Sequence, residues 1–279
     1  MRRACVIGWP VNHSRSPIIH NYWLELHAID GDYGRVAVAP GALRDFLGKL
    51  EDNGFIGCNV TLPHKETAFG CVKAADEVTK RLGVVNTVFR HAGETFGTTT
   101  DGEGFMANLA ASAAGFSIRN ERAVLLGAGG AAMSIVGALA DAGAAEIAVA
   151  NRTAERVEIL RRKFGAAIVP IDWQSMDGAL SECHLLVNTT ILGMKGQLPL
   201  DIELSHLPAD AVVADIVYTP LETGLLKAAR TRGNRTVGGL GMLLHQAVRG
   251  FELWFGVRPA VTFELYALVA RDIDPEWQS

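Results

Sequence analysis

The sequence predicts an α/β protein of two domains: an N-terminal α/β domain with a mostly parallel sheet, then a Rossmann-type dinucleotide-binding domain, with a cleft between them. Three observations carry this. Strand-like runs alternate with helical patterns along the whole chain. A glycine turn, Gly127-Ala128-Gly129-Gly130-Ala131-Ala132, follows an apolar run and opens a helical one. The chain of 279 residues, 49% of them hydrophobic, supplies two cores.

In the first hundred residues, strands are expected at Ala4-Ile7, Tyr33-Val38, Gly57-Val60, Val85-Phe89 and Thr95-Thr99, with helices near Pro17-Leu26, Ala42-Asn53 and His64-Ala74. From residue 103 a second series begins. Helices are expected at Gly104-Ala114, Gly130-Ala142 and Ala154-Lys163, and strands at Ala123-Leu126, Glu146-Ala150, Ile168-Pro170, Leu185-Asn188, Val212-Asp215 and Thr236-Val237. Two more helical patterns, Leu240-Trp254 and Val261-Val269, follow. The expected division is a substrate-binding and catalytic domain at 1–102, completed by C-terminal helices at 240–279, and a cofactor-binding domain at 103–239. The uncharged stretch from Ala123 to Ala140 is long enough for a membrane span, but its clustered glycines divide it into a buried strand, a turn and a buried helix.

Charge and cysteine usage exclude several classes of function. With 26 Lys+Arg against 30 Asp+Glu, the net charge of -4 offers a nucleic-acid backbone no footprint. The four cysteines form no CxxC and no cluster of zinc-ligand spacing, so no metal is expected. Few apolar residues precede Gly8-Trp9-Pro10, too few for a signal peptide, and a cytoplasmic location is expected.

In the glycine turn, Gly127 permits the tight bend, Gly129 lets the backbone approach a pyrophosphate, and Ala132 lets helix and strand pack closely. The helix N-terminus beyond, with the N–H groups of Gly130 and Ala131 and that of Ala128 in the turn, favours an anion. The next strand ends at Asn151-Arg152-Thr153, where an NAD site would usually carry an acid for the ribose. Arg152, with Arg156 one helical turn beyond, can instead hold a 2′-phosphate, so NADP is the expected cofactor. Cations at a helix start oppose the macrodipole unless an anion is bound, which argues against a merely solvated helix end.

Four polar constellations follow strands of the first domain. Ser14 and Ser16 precede the helix begun by Pro17, although Ser16 before Pro17 is also a helix-cap pattern. Asn59-Val60-Thr61-Leu62-Pro63-His64-Lys65 places Lys65 in a first helical turn, where capping would want an acid. Asn86 interrupts an apolar strand, and Asp101 sits in Thr99-Thr100-Asp101-Gly102; singly these read as structural, a backbone-paired Asn and an Asp-Gly turn. Together, at strand ends of one sheet, they suit a small polyhydroxylated acid.

The motifs HSxSPxxHN, NVTxPHK, GxxNTV, TDGxGF, LGAGGAA, NRTxxR and GLGMLLHQA, at His13-Asn21, Asn59-Lys65, Gly83-Val88, Thr100-Phe105, Leu126-Ala132, Asn151-Arg156 and Gly239-Ala247, resemble those of the shikimate dehydrogenase family over nearly the whole chain. The resemblance implies NADP-dependent, reversible reduction of 3-dehydroshikimate to shikimate, in the biosynthesis of aromatic amino acids, by a monomer or homodimer. It implies that Ser14 and Ser16 hold the carboxylate, Thr61, Asn86 and Gln246 the ring hydroxyls, and Lys65 with Asp101 the reacting hydroxyl, with Tyr218 closing over the substrate. It also implies cofactor contacts at Thr189, Ile216, Gly239 and Met242. Thr99, Met133 and Ile191 depart from the residues usual in the family, and none of them touches the Lys65–Asp101 chemistry. A paralogue acting on quinate or an aminated shikimate, or a non-catalytic metabolite sensor of the same fold, remains open at this point.

Overall fold

An apolar run with no polar alternation requires a strand covered on both faces. In the structure, a computed structural model describing residues 1–278, Ala4 to Ile7 are buried in such a strand, β1 (Arg2–Gly8). Next come α1 (Ser16–Leu26), β2 (Gly31–Ala37), α2 (Leu43–Gly48) and β3 (Gly57–Val60). β1 lies between β2 and β3 and is parallel to both. The chain continues through α3 (Lys65–Phe69), β4 (Lys73–Ala74) and α4 (Glu77–Leu82) into β5 (Thr87–His91) and β6 (Glu94–Thr98). β5 pairs antiparallel with both β3 and β6, and β4 closes the edge parallel to β6, giving the order β2-β1-β3-β5-β6-β4.

The helix expected over His64-Ala74 ends after little more than one turn, because the chain bends at Gly70 and pairs as β4. Its lost length reappears in α4, which carries start and stop signals that hydrophobic periodicity does not register. The Asp76 carboxylate accepts the Thr79 N–H at 2.7 Å and the Thr98 hydroxyl at 2.7 Å, and Gly83, with φ +68°, ends the helix. The helix expected over Ala42-Asn53 also contracts, to α2, before a turn at Gly54.

In the second sheet every pairing is parallel. After α5 (Asp101–Ser112) it is built from β7 (Arg122–Leu126), α6 (Gly130–Asp141), β8 (Glu146–Ala150), α7 (Ala154–Phe164), β9 (Ile168–Ile171), α8 (Met176–Leu180), β10 (Leu185–Asn188), β11 (Val212–Asp215), α9 (Gly224–Thr231) and β12 (Arg235–Val237). The order is β12-β11-β10-β7-β8-β9. β7 is thus the strand at which the order reverses, the position where such sheets bind ligands. α10 (Gly239–Phe255) and α11 (Phe263–Ile273) complete the chain. The contacts divide it into one unit of Met1–Asp101 with Leu243–Val269, and a second of Gly102–Met242 with the residues from Ala270 onward. Among the described residues no helix is long and apolar enough to cross a membrane.

Each unit has its own core. In the first, Cys5, Ile7, Leu47, Val60 and Val88 pack on one face of the sheet, while aromatic rings cover the other. There the His20 ring stacks on Tyr33 with centroids 4.1 Å apart, and Trp23, Phe251 and Trp254 surround it. Trp254 of α10 donates its indole N–H to the Val88 carbonyl at 2.9 Å. This close approach requires a glycine opposite: a Cβ on Gly57 would stand 2.0 Å from the Trp254 indole nitrogen and 2.4 Å from the Val88 carbonyl oxygen.

In the second unit the ends of β10 and β11 are joined by a buried carboxylate. Asp215 accepts hydrogen bonds from the Asn188 amide at 2.9 Å, the Val217 N–H at 3.0 Å and the Thr223 hydroxyl at 2.7 Å. Burial nevertheless dominates and pushes its pKa up to about 6, the three hydrogen bonds opposing the rise only in part.

Two predictions follow from these contacts. Gly57→Ala should destabilise the chain by about 3 kcal/mol or more, because overpacking is joined by displacement of a buried indole from its acceptor; urea unfolding of the purified variant measures it, and a loss under about 1 kcal/mol would show that Trp254 yields easily. Between the ordinary carboxylate pKa and the raised one, Asp215 holds a proton in the folded chain alone, so its contribution to stability falls as the pH rises through that window. Relative to Asp215→Asn, the wild type should therefore lose up to about 3 kcal/mol between pH 4 and pH 6 and then level off. A flat difference in chemical-denaturation free energy over that range would contradict it.

Candidate active site

Lys65 and Asp101 are the first residues of two helices, α3 and α5. A helix start suits a carboxylate and opposes a cation, so Asp101 sits where its helix favours it and Lys65 where its own does not. The two meet. Lys65 Nζ lies 2.5 Å from Asp101 Oδ2, and their side chains are only 15% and 6% exposed. The other carboxylate oxygen, Oδ1, accepts from the Asn86 amide at 2.9 Å. The same amide nitrogen lies 3.3 Å from Gln246 Oε1, on α10, and 3.0 Å from the Thr100 hydroxyl. The structure therefore brings Lys65, Asp101, Asn86 and Gln246 together, all within the first unit. The turn expected at Asp101-Gly102 is instead the opening of α5.

Ser14 and Ser16 are also within the first unit, and both are buried. Their hydroxyls lie 3.2 Å apart, and Ser14 Oγ accepts the Ser16 N–H at 3.3 Å. The cap reading of Ser16 does not hold: Arg15 is the residue before the helix, its side chain makes no cap hydrogen bond, and Ser16 is already helical. Pro17 sets the second helical position, which puts Ser16 one residue too late to cap. Thr61 directly follows β3, its methyl against the Gly8 backbone.

Beneath these residues lies a buried polar network that only the fold assembles. Asn59 donates its amide to the Asn86 carbonyl and to the Thr87 hydroxyl, and its Oδ1 accepts the Tyr33 hydroxyl at 2.5 Å. Tyr33 is fully enclosed, and burial raises its pKa well above the ordinary phenol value. Burial pushes His20, stacked on it, down to about 3, so the ring is neutral at physiological pH. The His64 ring holds the Val38 carbonyl at 2.7 Å and thereby anchors the start of α3. Burial likewise raises the Cys5 and Cys58 thiols, which makes them inert core residues. Among the described residues, no group of three or more His, Cys, Asp or Glu could hold a metal.

In the second unit the glycine turn has the properties a dinucleotide requires. Gly127, at φ +105°, would place a Cβ 2.7 Å from the Thr189 hydroxyl, so no side chain fits there. At Gly129 a Cβ would meet nothing within 4 Å, which leaves open space over the start of α6, and the first turn of α6 contains no acid. Thr189 caps the end of β7 through two hydrogen bonds to the Leu126 carbonyl. Asn151 is tied to the turn, since its Oδ1 accepts the Ala128 N–H at 3.2 Å while its amide donates to the Thr153 carbonyl. Arg152, just before α7, is exposed and pairs with no carboxylate among the described residues. Gly239 packs at the Ile216 carbonyl, Met242 belongs to the apolar core, and Tyr218 is half-buried in the loop beyond β11. These residues fit the phosphates of a dinucleotide bearing an extra phosphate at its adenosine end.

Comparison with known proteins places the chain in a family. Residues 6–88 match the family model described as the shikimate dehydrogenase substrate binding domain, 108–193 that of shikimate / quinate 5-dehydrogenase, and 239–262 that of the shikimate 5'-dehydrogenase C-terminal domain. The shikimate dehydrogenase (NADP(+)) of Nitrobacter hamburgensis is 54% identical over 272 residues, covering 98% of this chain and 95% of that protein. Among solved structures, the shikimate 5-dehydrogenase of Thermus thermophilus in complex with NADP(H) and shikimate superposes with a TM-score of 0.85 at 34% identity, covering 98% of this chain and 100% of the other. The quinate dehydrogenase of Corynebacterium glutamicum in complex with NAD superposes with a TM-score of 0.88 at 29% identity, covering 96% and 98%. Similarity this high over the full length leaves one conclusion: the chain belongs to the shikimate dehydrogenase family.

Proposed function

We propose that the chain catalyses the reversible reduction of 3-dehydroshikimate to shikimate with NADPH, within chorismate and aromatic amino acid biosynthesis. The observation that carries this reading is the nearly buried Lys65–Asp101 pair braced by Asn86 and Gln246. In the first unit, Ser14 and Ser16 take the carboxylate, Thr61, Asn86 and Gln246 the ring hydroxyls, and Lys65 with Asp101 the oxygen that changes oxidation state. Tyr218, in the loop after β11, is the further substrate residue that the family resemblance implies. The second unit is the cofactor domain: Gly127, Ala128, Gly129, Gly130 and Ala131 surround the pyrophosphate, Asn151, Arg152, Thr153 and Arg156 the adenosine end, and Thr189, Ile216, Gly239 and Met242 the remainder. The enzyme acts in the cytoplasm as a monomer or homodimer.

The glycine turn from Gly127 to Ala131 would hold NADPH, which when bound would supply the hydride for the ketone carbon. As that carbon is reduced, negative charge develops on the ketone oxygen, and Lys65 stabilises it and donates its Nζ proton to complete the hydroxyl. In the reverse direction Lys65 takes that proton back. Asp101 holds the ammonium by a charge-assisted hydrogen bond and is itself oriented by the Asn86 amide, so neither charged group has to reorganise as the reaction proceeds.

A turnover assay with shikimate and quinate, each with NADP and with NAD, tests the assignment; shikimate with NADP should give the highest kcat/KM. Lys65→Ala should lower kcat about 10²- to 10⁴-fold with a smaller change in KM, because the interaction is strongest when charge has developed. A loss under about tenfold would remove Lys65 from the role of proton donor. Arg152→Ala should raise the KM for NADP about 10- to 100-fold, as expected for loss of a charge-assisted phosphate contact. The KM for NAD should move far less, and equal weakening of both cofactors would make Arg152 a structural residue.

A further inference from the structure

The two serine hydroxyls assigned to the substrate carboxylate are neutral, and an anion enclosed by neutral groups alone is poorly compensated for its lost water. A cation stands directly behind them. Arg35 is on β2, two residues from Tyr33, and alternation along a strand therefore points both side chains to the face covered by α1. From there the Arg35 fork closes on a single atom, the Ser14 carbonyl oxygen, with Nε at 2.9 Å and Nη2 at 2.6 Å. No carboxylate of the described residues pairs with it, whereas Arg3, on the neighbouring strand, has Asp32. An arginine that commits its fork to a backbone carbonyl keeps its full charge beside the serine pair, with no acid among the described residues to neutralise it.

We propose that Arg35 is a positioning and specificity-determining residue for the carboxylate: it fixes the backbone that presents the Ser14 and Ser16 hydroxyls and supplies the positive charge by which the site selects an ionised acid. This rests on the assignment of Ser14 and Ser16 to the carboxylate. Arg35 touches neither the Lys65–Asp101 pair nor any group that exchanges a proton with substrate, so its effect belongs in binding and not in the chemical step. Because Arg35 lies on the exposed rim of an edge strand, its replacement leaves the core intact.

The test is steady-state kinetics of the wild type, Arg35→Ala, Arg35→Lys and Ser14→Ala, each with shikimate and with its uncharged methyl ester. Arg35→Ala should raise the KM for shikimate about tenfold while kcat stays within about twofold, and should shrink the preference for acid over ester. It should also flatten the dependence of kcat/KM on ionic strength, which a purely structural role would not do. Arg35→Lys, which keeps the charge but loses the planar fork, should restore part of the acid preference. If Ser14→Ala weakens shikimate but Arg35→Ala leaves the acid preference intact, Arg35 has no such role although the serine assignment stands. If Ser14→Ala leaves shikimate binding unchanged, the serine assignment fails first and the role of Arg35 goes with it.

Discussion

The constraint on which the first unit depends is that a lysine must be held, nearly dry, at the start of a helix that disfavours it. Lys65 opens α3, and the partial positive charge of that helix end repels an ammonium. Asp101, at the start of α5, reverses the balance, and its own helix end stabilises the carboxylate. Removing one partner of so enclosed a pair typically costs 3–5 kcal/mol, roughly the cost of stranding the other charge. The sheet and the helices around it bring these two residues, 36 positions apart in sequence, to one point.

The sites proposed for the two anions are built by different means, and the difference follows from the anions' size. A pyrophosphate is large and multiply charged, so an open glycine turn and the free N–H groups at the start of α6 suffice, with Gly129 leaving the space. A lone carboxylate on a small ring needs discrimination more than space. In the proposed assignment it meets two buried hydroxyls, whose spacing is set by the backbone between Ser14 and Ser16. Under the proposed roles, exposed Arg152 and nearly enclosed Lys65 show the same division between recognition at a surface and chemistry in a shielded site.

Those parts of the fold that depend on local pattern were legible in the sequence. The glycine turn announced itself because strand, turn and helix are contiguous, and β1, β7 and β8 because continuous apolar runs mean burial on both faces. α4 was hidden because its signals are polar, Asp76 at one end and Gly83 at the other, and its apolar face is too short to show a period. Lys65 stood out as a residue that local structure does not require, whereas Asp101, Asn86 and Ser16, each locally explicable as a turn, a paired amide or a cap, stood out only as a set gathered at strand ends. Tyr33, Asn59 and the Asn188–Asp215–Thr223 network did not, because a tyrosine in a strand or a threonine before a helix is locally ordinary. Their meaning lies in partners brought together by the sheet, and no spacing in the chain encodes that.

The hydrogen-bond arithmetic around Asn86 shows where the site can give. Its amide nitrogen has two hydrogens to offer. Three acceptors surround it: Asp101 Oδ1 at 2.9 Å, Thr100 Oγ1 at 3.0 Å and Gln246 Oε1 at 3.3 Å. Asp101 is charged and closest, so it keeps its hydrogen. Thr100 is held in place from another direction, since its backbone N–H donates to Asn86 Oδ1 at 2.9 Å. Gln246 is bound least, by the longest of the three contacts, by a long 3.5 Å contact from the Thr100 hydroxyl to the same Oε1, and by one hydrogen bond from its own amide to the Leu243 carbonyl one turn back. Its Oε1 is therefore the acceptor that a ring hydroxyl can recruit at least cost, and Asn86 loses nothing when it turns away. Asn86 is thus fixed by Asp101, and under the proposed roles Gln246 is the residue free to adapt to a substrate.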